Sequence, residues 1–396
     1  MKKGLIPLML GGLAIGMTEF IMMGILPQVA GYFNVSIPEA GHLISIYALG
    51  VVVGAPLLIF FSSRYSPKKL LIVISIMLIL FNGLSIFATN YEFLMVARFL
   101  SGLPHGAFFG VGSVVAMRIA DPGKESQAIA LMFAGLTVAN LLGIPLTTSL
   151  ALMVGWQVAF VIVALIGIMT VVTVLLFIPN LELEKSKHAS LTSDKHILLK
   201  SNSWLALGVV SLGFVGLFAW YSYISPLMIN VTQLSNSTIP YILFLAGLGM
   251  FFGNLYGGKL TDRVGAMNAT VVTLIGLVLA LLLMYLSANF KFFAIVISFG
   301  LGFFAFALVH AVQTLIIEVF KGSEMLGSTL SIAGFNIANA IGAFAGGLPI
   351  AYGFSYSSSV VAGMIVSILG VLMIFMLKYR LSVSGRVFRI KFKFNC

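Results

Sequence analysis

Apolar residues along this chain come in runs of about twenty, separated by short polar connections, and a helix that crosses the hydrocarbon layer of a membrane needs about that many. Runs of this length predict spans at 5–29, 41–62, 70–88, 94–117, 127–150, 157–178, 204–229, 240–260, 268–287, 292–317, 327–351 and 357–377. The longest polar stretch, Asn180 to Ser203, falls between the sixth and seventh runs. The expected organisation is a six-helix bundle over 1–180, a cytoplasmic linker over 181–203, a second six-helix bundle over 204–378 and a basic cytoplasmic tail over 379–396. The fold class is thus an all-α membrane protein of twelve transmembrane helices in two pseudo-symmetric halves. The first run, after Met1, Lys2 and Lys3, opens like a signal peptide. It continues to about Val29 and carries Glu19, so it reads as the first span.

Composition agrees with this pattern. Hydrophobic residues make up 60% of the chain and charged residues 8%, with a mean hydropathy of +1.12. Soluble domains carry about 25% charged residues. The net charge of +11 does not point to nucleic acid, because the charges sit in the connections. With the N-terminus inside, all of the 22 Lys and Arg except Arg98 and Lys291 fall on the cytoplasmic side. That bias orients the chain and predicts a multi-pass protein of the cell (inner or plasma) membrane with both termini cytoplasmic. Cys396, the one cysteine, can form no internal disulfide. No metal-ligand spacing is present, and neither a metal nor a cofactor is expected.

The halves repeat. Pro27, Gly50, Gly54 and Arg64 match Pro226, Gly249, Gly253 and Arg263 at an offset of 199, as Gly135, Ala139, Asn140 and Gly143 match Gly334, Ala338, Asn339 and Gly342. Six spans per half give both halves one orientation, the parallel-repeat pattern of a large class of transporters. Small residues at every fourth position, as at Gly102, Gly106 and Gly110, allow close helix packing. Spans three and twelve are nearly all apolar and are expected to face lipid.

Ionisable residues inside spans cost free energy and normally face a cavity or a partner. These are Glu19 in span one, Arg98 and His105 in span four, and His310 in span ten. Glu19 lies about 21 Å from the inner end of its helix, hence about 9 Å from the outer edge of a roughly 30 Å layer. Arg98, on a span running inward, lies about 7–8 Å from the same edge. The two charges therefore share a depth, and either proton handling or a structural ion pair would use them. His105 suits a ligand contact or a helix bridge. Trp220, Tyr221 and Tyr223 fit an interfacial belt or the wall of a substrate cavity. Asn140 and Asn339 pair helices or touch substrate. The alternating basic and apolar tail after Arg386 suits attraction to anionic lipid. No phosphate loop, metalloprotease motif or Ser/His/Asp grouping occurs, so neither an enzyme nor an ATP-driven pump is indicated.

The segment Gly258 to Gly265 (Gly-Lys-Leu-Thr-Asp-Arg-Val-Gly) resembles the loop signature of the major facilitator superfamily. Its partner, Ser63 to Lys69, has Ser63 where that family carries Asp. Arg98 to Gly102 is similar to the fourth-span motif, and Gly135 to Pro145 to the fifth-span motif of the family's antiporters, with Thr147 in place of a glycine. Met17 to Phe20 and Tyr47 to Pro56 resemble the twelve-span drug:proton antiporters, nearest to the arabinose-efflux-permease-like members. The resemblance implies a cavity lined by spans 1, 4, 7 and 10 and alternating access. Proton coupling is expected at Glu19 and Arg98 and substrate contacts from His105, Asn140, Trp220, Tyr223, His310 and Asn339, with a conformational switch at Arg64, Asp262 and Arg263. Asp262 is expected to accept hydrogen bonds from a helix N-terminus or a basic side chain. The expected activity is proton-coupled efflux of a small organic molecule (a drug, sugar or metabolite). An uncoupled facilitator or importer is the alternative in mechanism, and a membrane-embedded enzyme the alternative in class. The expected partners are that substrate, protons and the lipid bilayer, with no nucleic acid, and the expected form is a monomer.

Overall fold

A computed structural model of the protein describes residues 3–62, 65–181 and 196–383. Among the described residues, twelve helices are long and apolar enough to cross a membrane. They are α1 (Ile6–Phe33), α2 (Ile37–Ser62), α3 (Pro67–Ile86), α4 (Tyr91–Ile119), α5 (Glu125–Val154), α6 (Gln157–Phe177), α7 (Ser201–Ser222), α8 (Ile239–Val264), α9 (Ala266–Ser287), α10 (Lys291–Val319), α11 (Glu324–Ala351) and α12 (Ser358–Val383). A short helix, Ile224–Asn230, follows α7. The last helix thus runs a few residues into the expected tail, whose remainder from 384 lies outside the described residues, as do 182–195 of the linker. The chain divides into two compact units. One holds α1 to α6 with Ile224–Ile229 and Leu234–Phe244; the other holds α7, Asn230–Gln233 and the chain from Leu245.

Burial ranks the helices. In α1 and α7, 78% and 72% of the most apolar window is buried, against 33%, 33%, 28% and 33% in α3, α5, α6 and α12. Near-uniform apolarity on α3, α6 and α12 suits lipid, whereas the polar and small residues of α1 and α7 need protein neighbours. The lipid-facing expectation for spans three and twelve agrees with these values, and α6 joins them.

Backbone approach explains the glycines. A methyl group at Gly50 or Gly54 of α2 would fall on the carbonyl oxygens of Phe99 and Leu103 in α4, and one at Gly102 on that of Tyr47. In the second unit the same contacts recur: Gly249 and Gly253 of α8 meet Phe299 and Phe303 of α10, and Gly302 meets Ala246. The repeat is therefore geometric as well as textual, with one refinement. The matches put α2 against α8 at offset 199 but α4 against α10 at offset 200, since Gly102 corresponds to Gly302. Offset 199 returns at α5 and α11. There Gly123 (φ 78°) and Gly322 (φ 92°) donate their N–H groups to the carboxylates of Glu125 at 3.1 Å and Glu324 at 2.8 Å. The Gly322 bond holds the Glu324 carboxyl below the usual carboxylate range. Gly50→Ala should force α2 from α4, at a cost of about 1–3 kcal/mol for overpacking. Gly83→Ala, with open space around it, should leave the melting temperature unchanged. Equal melting temperatures for the two variants in detergent would contradict this account.

Two helices are interrupted. In α5, Ala139–Gly143 forms a π turn. In α7 the helix breaks at Phe214, and the Ser367 hydroxyl of α12 repairs the ladder. It accepts from the Gly216 N–H at 2.8 Å and donates to the Gly213 carbonyl at 2.9 Å. A backbone group freed inside a membrane needs such a partner.

Candidate functional site

The first unit concentrates its polar side chains where α1, α2 and α4 meet. Glu19 of α1, Tyr47 of α2, and Arg98 and His105 of α4 are all buried. Arg98 donates from Nη1 to the Thr18 carbonyl at 2.9 Å and from Nε to the Leu43 carbonyl at 3.4 Å. Its guanidinium carbon lies 4.4 Å from the centroid of the Tyr47 ring and 5.9 Å from that of Phe160. One side chain thereby ties three helices together. The Thr18 hydroxyl is satisfied locally, donating to the Ala14 carbonyl at 2.8 Å.

Glu19 is the residue next to the carbonyl that Arg98 grips, and its carboxylate lies within electrostatic range of both Arg98 and Tyr47. The shared depth expected for Glu19 and Arg98 agrees with this: Arg98 bonds the carbonyl of the residue before Glu19 and feels its charge. The Tyr47 hydroxyl lies 3.0 Å from His105 Nδ1, which brings His105 into the same group. Among the described residues Glu19 is the only buried carboxylate. Chemically, the group can hold a carboxylate beside a fixed cation, and protonation of that carboxylate changes the charge balance of the site by one unit.

The repeat sharpens this picture. The counterpart of Glu19 is Phe218, that of Tyr47 is Ala246, and those of Arg98 and His105, at the offset set by Gly102 and Gly302, are Ser298 and Ala305. The second unit has no ionisable side chain at any of these positions. It buries aromatic side chains instead: Trp220, Tyr221 and Tyr223 are all fully buried. An interfacial belt would expose them to headgroups, so their role is internal. The Tyr223 hydroxyl donates to the Ala343 carbonyl of α11 at 2.7 Å. Trp220 Nε1 has no hydrogen-bond partner among the described residues. Asn339 is buried on α11, and Asn140 is buried in the π turn of α5.

The other expected site residues fall elsewhere. His310 is exposed and lies within electrostatic range of Asp262, which places it near the loop signature. Asp262 and Arg263 are exposed. Asp262 accepts no hydrogen bond from a described residue, so the expected helix N-terminus or basic partner is not found among them. Arg64 lies outside the described residues. Tyr47 is a member of this group that the pattern of charges in the spans does not single out. Its signal was a polar-tipped aromatic in an otherwise apolar run.

Known proteins share this architecture. A bacterial homologue of the human lysosomal transporter Spinster, solved in an inward-facing, unoccupied conformation, matches with a TM-score of 0.75 at 16% identity, over 95% of this chain and 96% of that one. At that identity the match shows the fold. The Escherichia coli K12 protein named as the transporter AraJ is 38% identical over 90% of each chain. A Pasteurella multocida protein named as a sugar efflux transporter is 26% identical over 94% of this chain and 91% of its own length. The family description "Major Facilitator Superfamily" matches residues 8–346, a stretch that takes in both units and every residue of the buried polar group. Twelve apolar helices, an internal repeat with matched glycine contacts and this match agree: the chain is a multi-pass membrane protein of the major facilitator superfamily.

Proposed function

We propose that this transporter exports a small organic solute in exchange for protons, by alternating access. The observation that carries the proposal is a single buried carboxylate, Glu19, beside a buried guanidinium in one unit, with apolar or neutral counterparts in the other. A charge in a membrane interior is costly, and a carboxylate that gains and loses a proton is the simplest use of one. Arg98 supplies the fixed countercharge. The buried Trp220 and Tyr223, with Asn339, favour a substrate that stacks on aromatic faces and accepts hydrogen bonds. A sugar fits those terms, which agrees with the name of the Pasteurella relative. Cytoplasmic termini, a place in the cell membrane and a monomeric state belong to the same proposal.

Purified protein in liposomes tests it with a panel of labelled sugars and hydrophobic cations. An exchanger accumulates its substrate against a gradient when a pH difference is imposed, and substrate addition moves protons. An uncoupled facilitator equilibrates the substrate with no pH response, and that outcome would remove the coupling. For the switch we expect Asp262→Asn to slow transport about tenfold or more while leaving substrate affinity within about twofold, since an exposed residue in the last turn of α8 acts on motion and not on the bound state. Wild-type turnover in Asp262→Asn would leave the loop without a role in the cycle.

A further inference from the structure

Two buried polar atoms on the helices packed around α1 have no hydrogen-bond partner among the described residues, and they are opposite in kind. Arg98 Nη2 is a donor; Asn140 Oδ1 is an acceptor. A buried polar atom without a partner is unfavourable in lipid-excluded protein, and more so where water is absent. Both residues spend their other polar atoms on backbone. Arg98 bonds to the Thr18 and Leu43 carbonyls, and Asn140 Nδ2 donates to the Leu136 carbonyl at 3.1 Å.

The packing of α5 on α1 places Asn140 at the depth of Glu19. A methyl group at Gly16 would lie 2.8 Å from Cβ of Ala139, and one at Gly143 would lie 3.1 Å from the Met17 side chain. Two turns outward, Gly24 faces the Thr148 hydroxyl, itself buried and without a partner among the described residues. Glu19 lies between these contacts. It is three residues beyond Gly16, hence about 4.5 Å further along the axis and roughly 60° away in direction. Asn140 is one residue beyond Ala139, so the two differ in height by about 3 Å. Arg98 lies on the other flank, held through Thr18.

We propose that Glu19 alternates between two partners: ionised, its carboxylate accepts from Arg98 Nη2; protonated, its hydroxyl donates to Asn140 Oδ1. An ionised carboxylate only accepts hydrogen bonds, and a protonated one gains a donor. The two orphaned atoms match those two needs. The π turn at Ala139–Gly143 shifts the register of α5 where Asn140 sits, and such turns recur at functional sites. The corresponding stretch of α11, Ala338 to Gly342, runs as unbroken α-helix opposite no carboxylate. The titratable and charged groups packed around Glu19 are Tyr47 of α2 and Arg98 of α4, with His105 bonded to Tyr47. Within the membrane, α5 and α6 contribute none. Asn140 is therefore a neutral positioning residue that favours the protonated state. The inference rests on Glu19 as the proton carrier.

Infrared difference spectra of the protein in liposomes, stepped from pH 8 to pH 5, test it without a substrate. Wild type should show a protonated-carboxyl C=O band that is lost in Glu19→Gln. In Asn140→Ala that band should move to higher wavenumber and titrate about half to one pH unit lower, the effect of one net hydrogen bond on the protonated form. Asn140→Ser, close to alanine in size but retaining an acceptor, should keep more of the wild-type midpoint than Asn140→Ala. A Glu19 band with the same position and midpoint in wild type and Asn140→Ala overturns the two-partner arrangement and leaves proton coupling standing. If Glu19→Gln removes no band, Glu19 does not titrate in this range, and the proposed coupling falls together with the inference.

Discussion

Glu19→Gln should lose pH-driven accumulation of substrate by at least about tenfold while substrate exchange across the membrane persists. Glutamine keeps the size and hydrogen-bonding reach of glutamic acid but cannot release a proton, so it fixes the site in its neutral form. Exchange of labelled for unlabelled substrate needs the conformational cycle but no net proton movement, and it should therefore survive. Accumulation driven by a proton gradient requires the carboxyl to load on one side and unload on the other, and should not. No other buried carboxylate is present among the described residues to substitute for it, and its repeat counterpart is Phe218. His105 is the second titratable group of the cluster, joined to the Tyr47 hydroxyl. Were His105 the carrier, Glu19→Gln would keep pH-driven transport and His105→Asn would lose it. That pair of results would transfer the role from one residue to the other.

The helices, their number and the repeat are legible in the sequence because lipid imposes a crude rule, about twenty apolar residues per crossing. The Glu19–Arg98 association is legible for the same reason: two charges at one depth on helices of known length have few other places to go. Fine packing is not legible. Ala139-Asn-Leu-Leu-Gly143 and Ala338-Asn-Ala-Ile-Gly342 share three of five residues at matching positions, yet the first forms a π turn and the second a regular helix. The neighbours differ, and they are tertiary: Gly143 meets Met17 and Leu13 of α1, whereas Gly342 meets Phe218 and Val215 of α7. The aromatic side chains after the α7 break were equally ambiguous, since Trp and Tyr serve at membrane interfaces and in interiors alike. Their burial resolves that choice. The one-residue change of offset at α4 and α10 lies in the flanking connections, where insertions are cheap, so matched residues in α2 and α5 could not reveal it.

Arg98→Ala is expected to damage both stability and transport, including the exchange reaction that Glu19→Gln spares. Its guanidinium bonds the backbone of α1 at Thr18 and of α2 at Leu43 while stacking on Tyr47. Interhelical hydrogen bonds in membranes contribute about 1–2 kcal/mol each in model peptides, and a desolvated cation over an aromatic ring about 2 kcal/mol. Alanine removes all three contacts, leaves two carbonyls without their donor, and strips Glu19 of its countercharge. Lysine restores the charge only. Its ammonium is a compact point charge that cannot reproduce a planar fork spanning two carbonyls while lying flat on a ring. Arg98→Lys should therefore recover part of the pH response but little of the lost melting temperature. Thermal melts in detergent and exchange assays in liposomes separate the two contributions. If Arg98→Ala melts like wild type but fails in pH-driven transport, the guanidinium acts on the proton alone and the three-helix tie is incidental. If it melts early and Arg98→Lys restores melting in full, charge neutralisation of Glu19 is what holds the helices, and the carbonyl contacts contribute little.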